Sequence, residues 1–493
     1  MTTINDLIIK LQENNPNADT DLVRLAYEFA ENAHKGQVRA SGEPYIIHPL
    51  ATAYILAEMR LGIPLVVAAL LHDVPEDTKV TVEEIEKNFG KDIAQMVRGI
   101  TKLGTIKYRG IERYIENLRK MFIAMAQDLR VVFIKFADRL NNLKTLDALP
   151  PKKQYRIALE TLEIYAPIAN RLNMGEVRSQ LEDLSFKYIY PEEYKWTLKL
   201  FEETAPPKEI YLESVKKILT ENLNQQGIQN FTISGRRKHL YSLYKKLLKY
   251  DRDISRIHDL IALRIIVPDV SACYSVLGVI HGLWKPLKGR IKDYIAQPKP
   301  NGYRSLHTTV FCEDGEIIEF QIRTREMHEE AEFGIAAHWH YDESNKKSDL
   351  PQNMQWVQEL AKIQKEIAEK QDFLEALEGL KIDIFKNRIF VFTPRGDVID
   401  LPEEATSIDL AYSIHSDIGN SCIGAMVNDE MVPLDQALKS GDVIYILTDK
   451  NRKAPSADWL KFAKTRQAKN KIKAALKEKE GSWLKTILKA NKK

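Results

Sequence analysis

The stretch LVVAALLHDVPEDT, residues 65–78, joins an apolar run to a histidine and three carboxylates. Its first seven residues are all apolar and favour a buried helix. The polar side chains that follow are His72, Asp73, Glu76 and Asp77. Pro75 lacks the N–H that would continue the helix, which predicts a helix end at about Asp73. The polar groups are therefore either an acidic helix end or ligands that the helix carries to one point.

Length and composition are those of an ordinary globular chain. The 493 residues exceed one typical domain, and a formal net charge of +3 indicates no class of partner. Cys273, Cys312 and Cys422 are far apart and form no disulfide or metal pattern, which suits a reducing cytosol. No apolar run approaches the ~18 residues that span a bilayer, and the N-terminus lacks a signal-peptide pattern. We expect a cytoplasmic protein without membrane contact.

Hydrophobic periodicity divides the chain into five regions. The predicted regions are an all-α domain at 1–196, an α/β domain at 197–343, a helical linker at 344–383, a small mixed domain at 384–449 and a basic helical tail at 450–493. The predicted strands are Leu260–Val267, Thr308–Phe311, Ile317–Ile322, Arg388–Thr393 and Asp397–Leu401. In the small domain, a helix after Thr406 and two further strands should follow. Thr81 and Glu84 form a capping-box pattern at the start of another helix.

A metal centre that acts on phosphates needs neutral imidazoles and carboxylates around an open coordination position. His48 in GEPYIIHP and Asp138 in FADRLNNLKTL are candidate partners for His72 and Asp73, because all four lie in or at the ends of predicted helices. A bundle of helices could bring them together. The alternative is a helix-end pair that makes only local hydrogen bonds.

The strings RASGEPYIIHP, AALLHDVPEDT and KFADRLNNLKTL occur in the order found in HD-type metal-dependent phosphohydrolases. They resemble most closely the hydrolase domain of RelA/SpoT-type alarmone synthetase/hydrolases. The resemblance implies one Mn²⁺ whose bound water removes the 3′-diphosphate of (p)ppGpp as pyrophosphate. The residues it assigns are His48, His72, Asp73 and Asp138 as ligands, Glu76 and Asp77 as groups that orient or deprotonate the water, Asn142 and Thr145 as nucleotide contacts and Arg39 as a phosphate contact.

Two positions depart from this family's pattern. Pro75 stands where an aliphatic residue is usual, and Asn141 stands where the family usually has histidine. Neither position is a metal ligand in the pattern. The departures therefore bear on substrate binding and on the placement of water.

A second set of residues suits phosphoryl transfer assisted by Mg²⁺. The string GRRKHLYSLYKK, residues 235–246, is dense in cations, although it could form the solvated basic face of a helix. Asp259 stands at the head of one predicted strand and Glu319 lies on another. Two carboxylates on neighbouring strands beside a basic wall can hold a metal and take the proton of an attacking hydroxyl.

These strings and GRIKDYIAQPKPNGYRSLHTTV, residues 289–310, resemble the RelA/SpoT synthetase domain. The resemblance implies that Arg236 and Arg264 lie around adenine and that Lys238, Ser242 and Lys246 contact the ATP phosphates. It implies that Asp259 and Glu319 hold Mg²⁺, with Glu319 also acting as the base. Tyr303 would stack on the guanine of GDP or GTP, with Asn301 and His307 beside it. Arg290 to Asp293, with Lys292, matches the RxKD form of members with both activities.

The C-terminal regions resemble a TGS module of β-grasp fold followed by a basic tail. The resemblance implies a tRNA contact at His415, whereas a plain loop histidine is the alternative. The tail carries fifteen lysine and arginine residues against three acidic ones, with Trp459, Phe462 and Trp483 among them. It is either a solvated face or a contact for RNA or the ribosome. The distal regulatory domains of long family members are absent from the sequence.

The expected function is therefore a bifunctional enzyme that makes and hydrolyses (p)ppGpp. One alternative is a synthetase with a weakened hydrolase domain. The other is a catalytically idle regulator that senses tRNA or ribosomes. Retention of the ligand pattern at both sites favours the bifunctional enzyme.

Overall fold

The computed structural model describes residues 2–104, 124–125, 127–257, 259–299, 301–334, 336, 388–394, 398–439, 442–449, 451–452 and 454–476. The chain forms two compact units, residues 1–362 and 363–493. Within the described ranges, no helix is long and apolar enough to cross a membrane. The predicted linker at 344–383 and Trp483 lie outside the described residues.

The first unit begins with an all-α region, as the sequence predicts. Its helices are α1 (Ile4–Asn14), α2 (Thr20–Ala33), α3 (Ile47–Glu58), α4 (Ile63–Leu71), α5 (Val74–Asp77), α6 (Val82–Phe89), α7 (Lys91–Gly104), α8 (Arg130–Lys144), α9 (Pro151–Glu160), α10 (Ala166–Arg171) and α11 (Gly175–Ile189). Among the helices of this region, α4 has the most apolar sequence, and its residues from Leu65 to Leu71 are all buried. The predicted capping box at Thr81 and Glu84 is confirmed at the start of α6.

A single long helix, α12 (Pro191–Gln225), leads out of this region. It contains Pro206 and Pro207 and continues through both. The boundary predicted at residues 196 and 197 falls inside this helix, so the division between the two domains stays a prediction.

A mixed six-stranded sheet follows, which agrees with the predicted α/β class. The strands are β1 (Thr232–Arg237), β2 (Ile261–Val267), β3 (Lys285–Pro286), β4 (Lys292–Asp293), β5 (Leu306–Phe311) and β6 (Ile317–Thr324). Their order is β1-β2-β6-β5-β3, with β4 also paired to β5. The accompanying helices are α13 (Leu240–Lys249), α14 (Val270–Leu283) and α15 (Arg325–Phe333).

The basic string at 235–246 is not one helical face. Gly235 to Arg237 end strand β1, and helix α13 begins only at Leu240. Strand β1 pairs antiparallel with β2 along its whole length. Pairing with a buried neighbour has overridden the weak strand propensity of this glycine- and arginine-rich segment.

The second unit contains a small α/β domain. Its elements are β7 (Arg388–Phe392), β8 (Val398–Pro402), α16 (Ser407–Ile414), α17 (Ser416–Ser421), β9 (Cys422–Val427), β10 (Glu430–Val432) and β11 (Ile444–Thr448). Three strands rather than the predicted two follow the helices, because the three-residue β10 pairs with β9.

The start of the predicted tail packs against this domain. A short helix, α18 (Trp459–Phe462), and residues 466–476, which are also helical, cover one side of α16. Trp459 and Ile472 join Ile408 and Tyr412 in one buried apolar cluster. Asp409 in α16 accepts hydrogen bonds from the backbone N–H groups of Lys464 and Thr465. This part of the tail is therefore an integral layer of the unit.

Candidate active sites

Three helices bring metal-ligating side chains together in the all-α region. His48 lies in α3, His72 follows the last residue of α4, and Asp138 lies in α8. One ligand atom from each residue lies within 4.8 Å of the other two, and all three residues are buried. Imidazole nitrogen and carboxylate oxygen at this spacing suit one transition-metal ion.

Asp73 lies beside this set of three. Its Oδ1 is 3.0 Å from His72 Nε2, and its Oδ2 is 3.5 Å from His48 Nε2. His72 Nε2 is buried and makes no hydrogen bond of suitable geometry. Because buried polar atoms are normally satisfied, this nitrogen fits a divalent metal as its partner. The four residues predicted as ligands thus come together.

The charges in this cluster favour metal binding. Burial raises the pKa of Asp138, but Lys135 and His48 outweigh burial and hold it well below the usual value. Burial likewise raises the pKa of Asp73, and His72 and His48 bring it below the usual value. Both carboxylates are therefore ionised at neutral pH, as metal ligands must be. Burial lowers the pKa of His72, but Asp73 and Asp138 outweigh it and raise the pKa to about 9, so a bound metal would displace a proton from this imidazole.

The two acids after Pro75 lie in different environments. Burial raises the pKa of Glu76 to about 7, even though Lys135 lowers it. Asp77 accepts a hydrogen bond of 2.6 Å from the hydroxyl of Tyr45. The oxygen of this hydroxyl also lies 3.1 Å from Asp73 Oδ2. Glu76 therefore has a proton affinity suited to transfer near neutral pH. Tyr45, which the sequence analysis missed, ties Asp77 to the ligand set.

The residues predicted to hold the nucleotide line a cavity next to the metal ligands. The cavity has a volume of about 360 Å³, and Arg39, Asn142 and Thr145 line it together with Arg139. Arg39 donates a 2.7 Å hydrogen bond to Asn142 Oδ1, and Asn142 Nδ2 donates to Asp138 Oδ1. A continuous hydrogen-bonded path therefore joins the cavity to a metal ligand.

In the second site, Asp259 lies between two predicted phosphate contacts. Lys238 Nζ is 2.6 Å from its Oδ2, and Lys246 Nζ is 2.7 Å from its Oδ1. Burial raises the pKa of Asp259, but the two lysines outweigh it and lower the pKa to about 2. Ser242 lies one turn before Lys246 in α13. The carboxylate and the lysines form one ionised cluster at the edge of the sheet.

The strand register places further site residues on one face of the sheet. The positions that share this face are Arg236 in β1, Arg264 in β2, Glu319 and Gln321 in β6, His307 in β5 and Lys292 in β4. Residues paired across neighbouring strands point to the same side, and so do residues two apart along a strand. The sheet thus gathers the predicted adenine contacts and the predicted base on one surface.

Glu319 is embedded in a hydrogen-bonded row across this face. Its Oε1 lies 3.4 Å from His307 Nδ1 and accepts a 2.9 Å hydrogen bond from Gln321. Gln321 in turn accepts a 3.0 Å hydrogen bond from Arg236. Burial raises the pKa of Glu319, but His307 and Gln321 outweigh it, so the pKa is lowered. Glu319 is therefore an ionised acceptor at neutral pH.

Tyr303 is held by its neighbours at the predicted guanine position. Its hydroxyl lies 2.9 Å from His307 Nε2. Lys299 Nζ lies 4.7 Å from the ring centre of Tyr303 and 4.6 Å from that of Tyr294. Burial lowers the pKa of Lys299 to about 8, helped by nearby cations. Asn301 donates to the carbonyl oxygen of Asn170 in the all-α region.

Arg264 is positioned by a residue that the sequence analysis missed. Glu332 in α15 lies 3.1 Å from the Arg264 guanidinium and 2.9 Å from that of the buried Arg323. Burial lowers the pKa of Arg264 to about 10, and Arg323 lowers it further. Glu332 thus lies between two guanidinium groups whose mutual repulsion it offsets.

His415 in the second unit is largely exposed. Its Nδ1 accepts a 3.2 Å hydrogen bond from the backbone N–H of Asp417 and caps α17. This contact gives His415 a structural role, and its predicted tRNA contact stays a prediction. Trp459, by contrast, is buried and cannot stack on a base in this arrangement.

Three family models match the chain in sequence order. They are an HD domain at residues 26–175, a region found in RelA/SpoT proteins at 235–346 and a TGS domain at 389–448. These matches agree with the predicted fold classes. They cover the helices of the first site, the sheet of the second site and the small C-terminal domain.

Curated relatives align along nearly the whole chain. A GTP pyrophosphokinase of Myxococcus xanthus is 45% identical over 94% of this chain and 61% of its own length. A guanosine-3′,5′-bis(diphosphate) 3′-pyrophosphohydrolase of Aquifex aeolicus is 47% identical over 93% of this chain and 65% of its own length. The bifunctional (p)ppGpp synthase/hydrolase SpoT of Escherichia coli is 45% identical over 92% and 64%. The chain thus spans less than two thirds of the length of these relatives, and it is similar to them along nearly its whole length.

Proposed function

We propose that this chain transfers pyrophosphate from ATP to the 3′-oxygen of GDP or GTP and hydrolyses (p)ppGpp at a separate site. The observation that carries the proposal is the presence of two separate ionised clusters in the first unit. One holds His48, His72, Asp73 and Asp138, and the other holds Lys238, Lys246 and Asp259. An idle regulator would have no need to keep both.

In the hydrolase site, His48, His72, Asp73 and Asp138 would hold Mn²⁺, which supplies a bound water of lowered pKa. Glu76 accepts a proton from the attacking water, because burial keeps its pKa near neutral. Asp77 orients that water while Tyr45 fixes its carboxylate. Arg39, Asn142 and Thr145 hold the nucleotide in the neighbouring cavity. The water oxygen bonds to the phosphorus attached to the 3′-oxygen, the bond from that phosphorus to the 3′-oxygen breaks, and the 3′-oxygen takes up a proton as pyrophosphate is released.

In the synthetase site, Asp259 and Glu319 would hold Mg²⁺, which neutralises phosphate charge. Glu319 takes the proton of the 3′-hydroxyl, whose oxygen attacks the β-phosphorus of ATP while AMP leaves. The residues proposed to position the substrates are Arg236 and Arg264 at adenine, Lys238, Ser242 and Lys246 at the ATP phosphates, Tyr303, Asn301 and His307 at guanine, and Lys292 on the same sheet face.

The functions of the relatives support both activities, because these relatives include a pyrophosphokinase, a pyrophosphohydrolase and a bifunctional enzyme. Three buried cysteines without disulfides support a cytoplasmic location. The TGS match and the basic tail support contact with tRNA or the ribosome, with His415 as the proposed tRNA residue.

Paired assays on the purified chain test this proposal. One reaction holds ATP, GDP and Mg²⁺, and the other holds ppGpp and Mn²⁺. We expect AMP and ppGpp in the first reaction and GDP and pyrophosphate in the second. Synthesis alone would show that the hydrolase site is weakened, and loss of both reactions would favour a regulator.

A further inference from the structure

The two histidines of the hydrolase site differ in what their Nδ1 atoms contact, which are the ring nitrogens that face away from the ligand set. His72 Nδ1 lies 2.7 Å from the carbonyl oxygen of Ala69. A carbonyl oxygen can only accept, so Nδ1 carries a hydrogen and the Nε2 lone pair of the neutral ring faces the ligand set. His72 is thereby fixed in the tautomer that a metal requires.

His48 is arranged differently. Its Nε2 faces the carboxylates, 3.3 Å from Asp138 and 3.5 Å from Asp73. Its Nδ1 lies 2.7 Å from Nδ2 of Asn141, which is buried. An amide NH₂ can only donate, so the Nδ1 lone pair accepts from it and Nε2 carries the hydrogen. In this tautomer, Nε2 donates towards the carboxylates and has no lone pair for a metal.

Rotation of the Asn141 amide by half a turn reverses this assignment. The oxygen and nitrogen of a primary amide have nearly the same shape, so the rotation costs little in packing. It gives up only the long 3.4 Å hydrogen bond from Asn141 Nδ2 to the carbonyl oxygen of His48. Asn141 Oδ1 would then accept from Nδ1–H of His48, and the Nε2 lone pair would be released. Leucine has a similar volume but can neither donate nor accept at this position.

We propose that Asn141 is a positioning residue that selects the tautomer of His48 for metal binding. With its oxygen turned to His48, Asn141 accepts from Nδ1–H and leaves the Nε2 lone pair of His48 free for the metal. Asn141 lies in the same helix as the ligand Asp138, so α8 supplies both a ligand and the group that orients another ligand. This role falls at a position where the sequence departs from the family pattern.

This inference rests on the proposed Mn²⁺ site, so it is tested by metal binding rather than by activity. Mn²⁺ affinity is measured by calorimetry on the full chain for the parent, Asn141→Leu, Asn141→Asp, Asp138→Ala and Asn88→Leu. Asn88 lies in α6 and is exposed, so it serves as the matched control. Outer partners of ligating histidines change metal affinity by roughly 10–100-fold. We expect a loss of this size in Asn141→Leu and none in Asn88→Leu.

Asn141→Asp separates the tautomer from simple loss of packing. A carboxylate only accepts, so it should hold the metal-binding tautomer and retain at least the parent affinity. NMR of the parent with ¹⁵N-labelled histidine provides a second readout that needs no substitution. We expect His48 Nδ1 to be protonated after addition of Zn²⁺.

The results test the role of Asn141 and the proposed metal site separately. Parent-like Mn²⁺ affinity in Asn141→Leu, or an Nδ1 that is unprotonated in the presence of Zn²⁺, would overturn the role of Asn141. If the parent binds Mn²⁺ no better than Asp138→Ala, the proposed metal site itself fails and the inference fails with it. Circular dichroism of each variant separates loss of metal from loss of fold.

Discussion

Pro75 separates two helices at the point where the metal ligands emerge. Helix α4 ends at Leu71, and α5 begins at Val74. The carbonyl oxygen of Asp73 accepts from the N–H groups of Glu76 and Asp77 and starts a new turn. Because proline cannot donate to Leu71 four residues back, the ligand-bearing end of α4 is kept apart from the two acids.

We predict that Pro75→Val raises the ppGpp hydrolysis rate, while Mn²⁺ affinity stays within about a few-fold of the parent. Valine restores an N–H and allows a less abrupt exit from α4, which moves the two acids but not the ligands. Steady-state hydrolysis and Mn²⁺ calorimetry on the same preparations check this. A valine variant that folds but loses the metal would make Pro75 a support of the ligands instead.

Tyr303 offers a second test at the residue scale. Tyr303→Ala removes a ring that His307 and Lys299 hold in place. Stacking of a base on an aromatic ring contributes ~1–3 kcal/mol, so binding of GDP should weaken about tenfold or more while ATP binding changes little. Nucleotide titrations measure both constants. Equal weakening of the two nucleotides would indicate that the loop has collapsed.

At the scale of elements, helix α15 links the proposed adenine site to the rest of the unit. Glu332 contacts Arg264, whereas Glu329 on the same helix pairs with Arg60 at 3.0 Å in the all-α region. We predict that Glu332→Gln raises the KM for ATP by roughly tenfold, which is about 1.4 kcal/mol. Without the carboxylate, the orientation of the Arg264 guanidinium is lost.

The KM for GDP and the kcat at saturating ATP should change less than about twofold in Glu332→Gln. Glu329→Gln is the matched control and should leave the KM for ATP unchanged. Steady-state kinetics with each nucleotide varied in turn provide the measurement. A uniform loss in both nucleotides would assign Glu332 a role in folding only.

The sequence predicts helices and strands well where a local residue pattern determines them. The apolar run before His72 predicts both the buried helix and its end, because periodicity and proline act locally. Strand β1 was not predicted, because Gly235 and Arg236 have weak strand propensity and pairing with β2 decides the conformation. Local pattern cannot supply a partner that comes from another strand.

The same reason explains why the sequence did not predict the roles of several site residues. Tyr45 and Lys299 lie inside the strings that carry the resemblance, but their roles depend on contacts with Asp77 and with two tyrosine rings. Glu332 lies beyond every motif that the sequence analysis singled out. The available signals were a tyrosine three residues before His48 and a lysine flanked by tyrosines.

At the scale of the whole molecule, the start of the tail stabilises the second unit. Deleting the chain from Lys450 would uncover Ile408, Tyr412 and Cys422, which Trp459 and Ile472 bury. We predict that this deletion lowers the Tm of the unit by several degrees. Calorimetry of the full chain and of the truncated chain measures the effect. Equal Tm values for the two would mean that the packing contributes nothing.

The central claim is that two independent sites in one chain carry opposite reactions. Asp138→Ala removes a ligand from the first cluster, and Glu319→Gln removes the proposed base from the second. The most direct measurement assays synthesis and hydrolysis for both variants beside the parent. We predict that Asp138→Ala loses hydrolysis by orders of magnitude and keeps synthesis, and that Glu319→Gln does the reverse. Hydrolysis by Asp138→Ala as fast as by the parent, or loss of both reactions in either folded variant, would contradict it.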